Sequence, residues 1–431
     1  MDRGLIFLGH FFMDTISRTT FRRFLLGQQG LWPGRRFAGL DGVTSVIQQM
    51  QALQLDPLNI AARSQEISLY GRVQDFELGH LYQSAYEQRN FFDYGGTLFL
   101  YPMKELPYWR AIMPRTARYS RMVEFRKNHP QAMDETLSAL RANGAMGNRD
   151  FTGNGLSQWS YRGRKDSAVA LFYLWLLGEV MITTRKGFDR VYDLRERVAP
   201  REYDFIAPIS EAEDFFARKT IAMLNLMRAK RFRVGWQDAI EREVTAAEAE
   251  EKLSALTRQG MVSQFKVEGS SETWLALTED VPLLESIESG RIPWAWQSLE
   301  SSTDDEVTLL APLDMVSARG RAKQVFDFDY IWEVYKPIHQ RRWGYYTLPI
   351  LYGDDLVSRL DPKLDRKTNT LHILGFWLEA DAPKDEAFAN ALGRGIARFA
   401  KLVGASQVKV DAIRPRSLQA QTRRMIKAMM D

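Results

Sequence analysis

The chain contains no cysteine. That excludes disulfides, thiolate-held metals and a cysteine nucleophile together. Histidine is scarce as well. The five present, His10, His80, His129, His339 and His372, stand singly, without the spacings that hold a metal. No metal and no other cofactor is expected. Long apolar runs are missing: "LIFLGHFF" near the start is interrupted by Gly9 and His10 and is shorter than the roughly 20 residues needed to cross a bilayer. Its flanks, "MDRG" and "MDTISRTT", lack the basic and small-residue signals of a secretion leader. The expectation is a monomeric, cytoplasmic protein with no membrane association, residues 1–16 forming a tail. Nor is charge of one sign in excess. Fifty-eight Lys+Arg against 54 Asp+Glu leave a net charge of +4, so any polyanion-binding surface must come from local clustering. Glycine-rich phosphate loops and nucleophile elbows are absent from the sequence.

What is present is globular. Apolar residues make up 45% of 431 and charged residues 26%, enough for several cores. Three times the pattern runs through helices into a strand-turn-strand. "FRRFLLGQQG", "GVTSVIQQM", "LNIAARSQEISLYGR" and "FELGHLYQSAYEQ" read as helices in the first stretch, with "ALQLD" and "TLFLYP" as strands. In the second, "RTARYSRMVEFRKN", "QAMDETLSALRANGA" and "GRKDSAVALFYLWLLG" are helices. The last ends at Gly178, and a hairpin turning at Lys186-Gly187 follows. The third runs "EAEDFFARKTIAMLNLMRAKRF", "TAAEAEEKLSALTRQG", "MVSQFKVEGSSETWLAL". This element order is that of the winged helix. The fold class predicted is therefore α+β: three tandem winged-helix subdomains over 17–113, 114–208 and 209–290, a polar linker at 291–305, and a β-rich C-terminal α+β domain over 306–431.

Within "LQLDP", Gln54 and Asp56 sit two apart. On a strand they face the same way while Leu55 turns to the core. Asp followed by Pro57 also reads as a helix start, with Asp56 as N-cap, which would lower its pKa and keep it ionised. Basic residues cluster at Arg162, Arg164 and Lys165, before the third helix of the second stretch, and at Arg185, Lys186 and Arg190 on its hairpin. These are the elements that meet phosphates in a winged helix; a solvated charged face is the plainer alternative. "RAKRFR" (228–233) reads as a helix end, and "HQRRWGYYTLP" sets Arg341 and Arg342 among Trp343, Tyr345 and Tyr346. Such a mixture can stack and hold nucleic acid, although aromatics on a strand more often belong to a sheet core.

Taken in order, "GQQGLWPGRR", "LQLDPLNIAARS", "GEVMITTRKGFDRVYDLRERVAP", "QVFDFDYIWEVYKP", "RRWGYYTLPILYGDDLVSRLD" and "LHILGFWLE" resemble the YcaQ/AlkZ-like family of bacterial winged-helix DNA glycosylases. The resemblance implies tandem winged helices around a concave channel sized for DNA. It also implies a catalytic Gln-apolar-Gln/Asp signature, here Gln54-Leu55-Asp56, and hydrolysis of the N-glycosidic bond of N7-alkylguanine, including interstrand crosslinks. The partner implied is double-stranded DNA. Arg63 matches a family arginine with a phosphate-binding or structural role. Departures occur at Gly96-Thr97, where a His-Glu pair is frequent, and at Leu313 and Ser317-Ala318, where Phe and Trp-Asp are frequent. A non-catalytic winged-helix regulator is the rival from another class. A glycosylase of antibiotic self-resistance would share the mechanism but act on a specialised lesion.

Overall fold

The computed structural model describes residues 14–151 and 165–431. Arg162 and Arg164 lie outside the described residues. The chain is a mixed α+β molecule in which one three-stranded arrangement recurs. In the first unit the strand Leu53–Gln54 follows the helix Gly39–Met50. Helices Ser64–Tyr70 and Leu78–Tyr82 come next, then the hairpin Phe91–Tyr94 and Phe99–Pro102. The last strand occupies the middle: Leu53 pairs with Leu100 and Gln54 with Phe99, and Phe91–Tyr94 closes the other side. The second unit repeats this order, with Met146–Gly147 beside Asp189–Leu194 and Val180–Lys186 beyond. So does the third, with Met227–Arg228, Trp274–Leu277 and Val262–Val267. Each first strand thus sits at one edge of its sheet.

Local chemistry explains the joints. The helix Asp166–Leu176 ends as its sequence predicts, on Gly178 at φ +74°. There the Gly178 and Glu179 N–H groups return to the carbonyls of Trp175 and Leu174, the glycine-dependent helix stop. The second unit's hairpin turns at Gly187-Phe188, with Gly187 at φ +65°.

Four expectations need correction. No helix follows Pro57: residues 57–63 are irregular and the helix starts at Ser64. Residues 15 and 16 are not tail, because Thr15–Ile16 pairs in parallel with Lys266 and Val267, extending the third sheet. The helix Arg18–Gln28 accordingly packs with the third unit's Leu226, Phe265 and Trp274. The stretch 291–305 is irregular but no loose linker, since Trp296 is buried against Gly27, where any side chain would collide with its ring. Finally, the first helical stretch of the third unit divides into Ile209–Ala222 and Phe232–Ile240 around Met227–Arg228. "RAKRFR" therefore spans a strand and a helix start rather than a helix end.

The C-terminal part is a five-stranded sheet in the order Thr308–Leu309, Leu348–Tyr352, Asp355–Asp365, Thr370–Leu378, Gln407–Lys409. All pairings are antiparallel except the last. Helices Glu386–Leu402 and Arg416–Met430 complete its core. That core also takes in Ala61, Ala62, Ile67 and Tyr70 of the first unit. The chain just after Asp56 is thus built into the C-terminal domain.

Candidate active site

Gln54, Leu55 and Asp56 are extended, and the Leu55 N–H donates to Leu98 O at 2.9 Å, prolonging the pairing. Leu55 is buried in the first unit's core while Gln54 and Asp56 are half-buried. This is the alternation a strand imposes.

Asp56 is held at both ends of its residue. Its N–H donates to Oε1 of the buried Gln65 at 2.9 Å, and its Oδ1 accepts the Leu58 N–H at 2.9 Å. The second bond is a tight Asx turn, not a helix cap. Its electrostatic consequence also differs from a cap's. Burial pushes the Asp56 carboxyl above its ordinary value, and the Leu58 N–H opposes this only in part.

The loop after Asp56 is pinned from the C-terminal domain. Arg366 donates to Asn59 Oδ1 at 2.7 Å, and the Tyr346 hydroxyl donates to Ala62 O at 3.2 Å. Burial, followed by the negative charges of Asp56 and Glu66, raises the Tyr346 hydroxyl well above the ordinary tyrosine range. It stays a neutral donor.

Gln54 has a partner that sequence reading missed. Arg319 Nη2 donates to Gln54 Oε1 at 2.7 Å. The same guanidinium lies 5.9 Å from the ring of Phe99, the cross-strand neighbour of Gln54. Arg319 adopts φ +55° and is followed by Gly320 at φ +80°, a left-handed pair that is costly at the arginine. The turn carrying it is anchored by Asp314. That carboxylate takes a two-point ion pair from Arg72 at 2.8 and 2.9 Å, together with Ser68 Oγ at 3.1 Å and the Val316 N–H at 3.0 Å, all buried. Beside it Ser317, where the resemblance favours Trp, leaves a buried hydroxyl without a partner among the described residues.

Arg319 also lines a cleft of about 490 Å³ between the third unit and the C-terminal domain. Arg228, Lys230, Arg231 and Arg321 share its walls, with Asp238 an opposing charge. Three of these, Arg228, Lys230 and Arg231, come from the "RAKRFR" run, which charge alone marks as basic; the fold joins them to Arg319 and Arg321 next to the Gln-apolar-Asp strand.

The predicted basic residues fare unequally. Arg63 is committed to Glu66, whose carboxylate accepts its N–H at 2.7 Å and pairs with its Nη1 at 3.0 Å; this is a structural tie. Lys165 stands at the start of its helix, as expected, with Nζ on Phe151 O at 2.7 Å. Arg185 departs from expectation. Its side chain is buried, and it binds Asp93 and the Tyr86 hydroxyl. Its guanidinium serves the hairpin's attachment. Lys186, one residue on, is exposed, and Arg190 lies over the Trp175 ring at 4.5 Å. Arg341 and Arg342 stack on Tyr345 and Trp343 at 4.7 and 4.4 Å. Trp343 and Tyr346 are buried, so the core reading holds for those two aromatics. Gly96 and Thr97 are exposed in the turn beside Leu98, and a Cβ on Gly96 would meet nothing within 4 Å. Among the described residues no His/Cys/Asp/Glu group could hold a metal, and no helix is long and apolar enough to cross a membrane.

Comparison with known proteins bears on this arrangement. A family model described as DNA glycosylase AlkZ-like matches residues 47–402, which include the Gln54 strand and the Arg319 turn. Among solved structures, the chain is similar in fold to the Streptomyces sahachiroi DNA glycosylase AlkZ. The TM-score is 0.59 at 13% identity, with 91% of this chain and 98% of that one covered.

Proposed function

The chain belongs to the AlkZ-like DNA glycosylase family, and from that premise we propose that it hydrolyses the N-glycosidic bond of cationic N7-alkylguanine in double-stranded DNA. Interstrand crosslinks made by bifunctional alkylators are included. The reading takes the three repeated units as tandem winged helices and the enzyme as a monofunctional glycosylase. It acts as a cytoplasmic monomer that meets DNA in the nucleoid.

The observation that carries it is the pairing of a half-buried carboxylate at 56 with an amide at 54 whose oxygen is already bonded to Arg319. An N7-alkylated guanine is positively charged and leaves readily, so no strong general acid is required. The sugar approaches an oxocarbenium ion as the bond breaks. An ionised Asp56 in a partly dry setting stabilises that charge and accepts the proton of the attacking water. With Gln54 Oε1 occupied, its Nε2 is the end offered to the nucleotide or the water, as a donor. A crosslinked base cannot be swung fully out of the duplex as glycosylases usually require. An open, basic cleft accommodates such a lesion better than a closed pocket.

The test is alkaline cleavage after incubation with duplex carrying N7-methylguanine. Strand breaks should appear, and Asp56→Asn should cut the single-turnover rate by about 100-fold. Absence of breaks, or a rate unchanged by that substitution, returns the protein to the class of non-catalytic DNA binders.

A further inference from the structure

Residues 331–343 hold three large apolar side chains in solvent, the half-exposed Ile331 and two that stand almost fully out. Tyr335 is 87% exposed and Ile338 80%. Neither sits on a loose segment. Glu333, only 2% exposed, accepts the N–H groups of Arg342 and Trp343 at 2.8 Å each and pairs with Lys336 Nζ at 2.9 Å. Arg341 Nε closes the turn onto Lys336 O at 2.9 Å, and Pro337 leads a short 3-10 turn, Ile338–Gln340. The Tyr335 ring stands edge-on to Trp332 at 5.8 Å, and Trp332 is itself packed on the C-terminal core. A rigid turn that presents apolar groups to water is the mark of a contact surface.

Its flanks indicate what is contacted. Within 331–343 one acid, Glu333, faces Lys336, Arg341 and Arg342. Glu333 is spent internally, and the exposed Asp329 partner of Arg342 can be exchanged for a phosphate. The turn is also continuous with the candidate site. It leads directly to Tyr345, beneath the Arg341 guanidinium, and to Tyr346, whose hydroxyl holds the loop after Asp56.

We propose that Tyr335 and Ile338 form a wedge that enters the duplex beside the damaged base and parts one base step, while Arg341 and Arg342 hold the flanking phosphates. Apolar side chains between base steps with cations on the backbone are a recurrent way to open a stack. Such an opening exposes the glycosidic bond without swinging the base fully outward. The inference rests on the glycosylase reading above.

Two readouts separate the two claims. In an Asp56→Asn background, binding to a duplex carrying 2-aminopurine beside N7-methylguanine should raise the fluorescence, and adding Tyr335→Ala with Ile338→Ala should abolish the rise. In the otherwise native enzyme the same pair should lower single-turnover excision from duplex about tenfold and leave excision from a single strand unchanged, with thermal stability retained. A fluorescence rise that survives the double substitution, or equal losses on duplex and single strand, overturns the wedge whatever the catalytic outcome. A fluorescence rise dependent on the wedge in a protein that excises nothing would support the wedge and sink the catalytic reading alone.

Discussion

The guanidinium of Arg319 donates to the side-chain oxygen of Gln54 at 2.7 Å across a separation of 265 residues. It fixes which end of the amide faces outward. Without it Gln54 can turn either way, and only one way offers a donor.

Arg319→Ala is therefore expected to reduce kcat about tenfold while changing KM less, because an interaction realised at the transition state is lost. Arg319→Lys, which keeps a charge but not the fork, should recover only part of the loss. Single-turnover kinetics on N7-methylguanine duplex read both. A loss confined to KM would make Arg319 a phosphate contact instead.

The pH profile should follow Asp56. Burial raises its pKa above 3.8, and the proposed mechanism requires the ionised form. Activity should climb with pH through that raised value and then level off. Asp56→Asn should flatten the acid limb of single-turnover rates. A limb that persists in the variant belongs to another group.

Much of this was legible in the sequence. The strand period separates Leu55 from Gln54 and Asp56 without any structure, and the three helix-to-hairpin stretches announce themselves by turn residues such as Gly178 and Gly187. Asp56-Pro57 was misleading because a helix start and an Asx turn want the same residues. What decides between them is Arg366 and Tyr346, about 300 positions away. The same applies to Arg319, whose role exists only in the folded chain. Charge alone groups Arg185 with Lys186, although neighbours on a strand face opposite sides.

Those two residues give a contrast. Arg185→Ala should destabilise the protein by about 3–5 kcal/mol, since it leaves Asp93 buried and unpaired. Lys186→Ala should leave stability unchanged. If Lys186 meets a phosphate, the salt dependence of DNA binding should fall by about one unit of slope. Chemical denaturation and salt-titrated binding measure the two.

The buried Arg72–Asp314 pair supports the Arg319 turn. Removing one partner, as in Asp314→Asn, should cost about 3–5 kcal/mol, and joint replacement by Met and Leu should recover much of it. Excision should still fall in the stable double variant, because the turn loses the carboxylate that organises it.

Stability should also depend on Asp280. Burial, and then the charge of Glu279, raise its carboxyl from 3.8 to about 7, against the opposing amide of Gln28. A raised pKa means the folded state holds the proton more tightly. The stabilisation is full below the unfolded value and is lost as pH rises through about 7. Melting temperature should fall between about pH 4 and pH 7, and Asp280→Asn should remove that part of the slope.

The distance in sequence between Gln54 and Arg319 has a consequence for how activity is acquired during synthesis. A nascent chain emerges with its carboxylate and amide early; the carboxylate is tied locally to the Leu58 N–H, but the amide has no fixed direction until the turn that grips it has been translated and docked. Fragments ending before that turn leave the amide free to rotate, so the proposed site is complete only once residue 319 has been translated and docked.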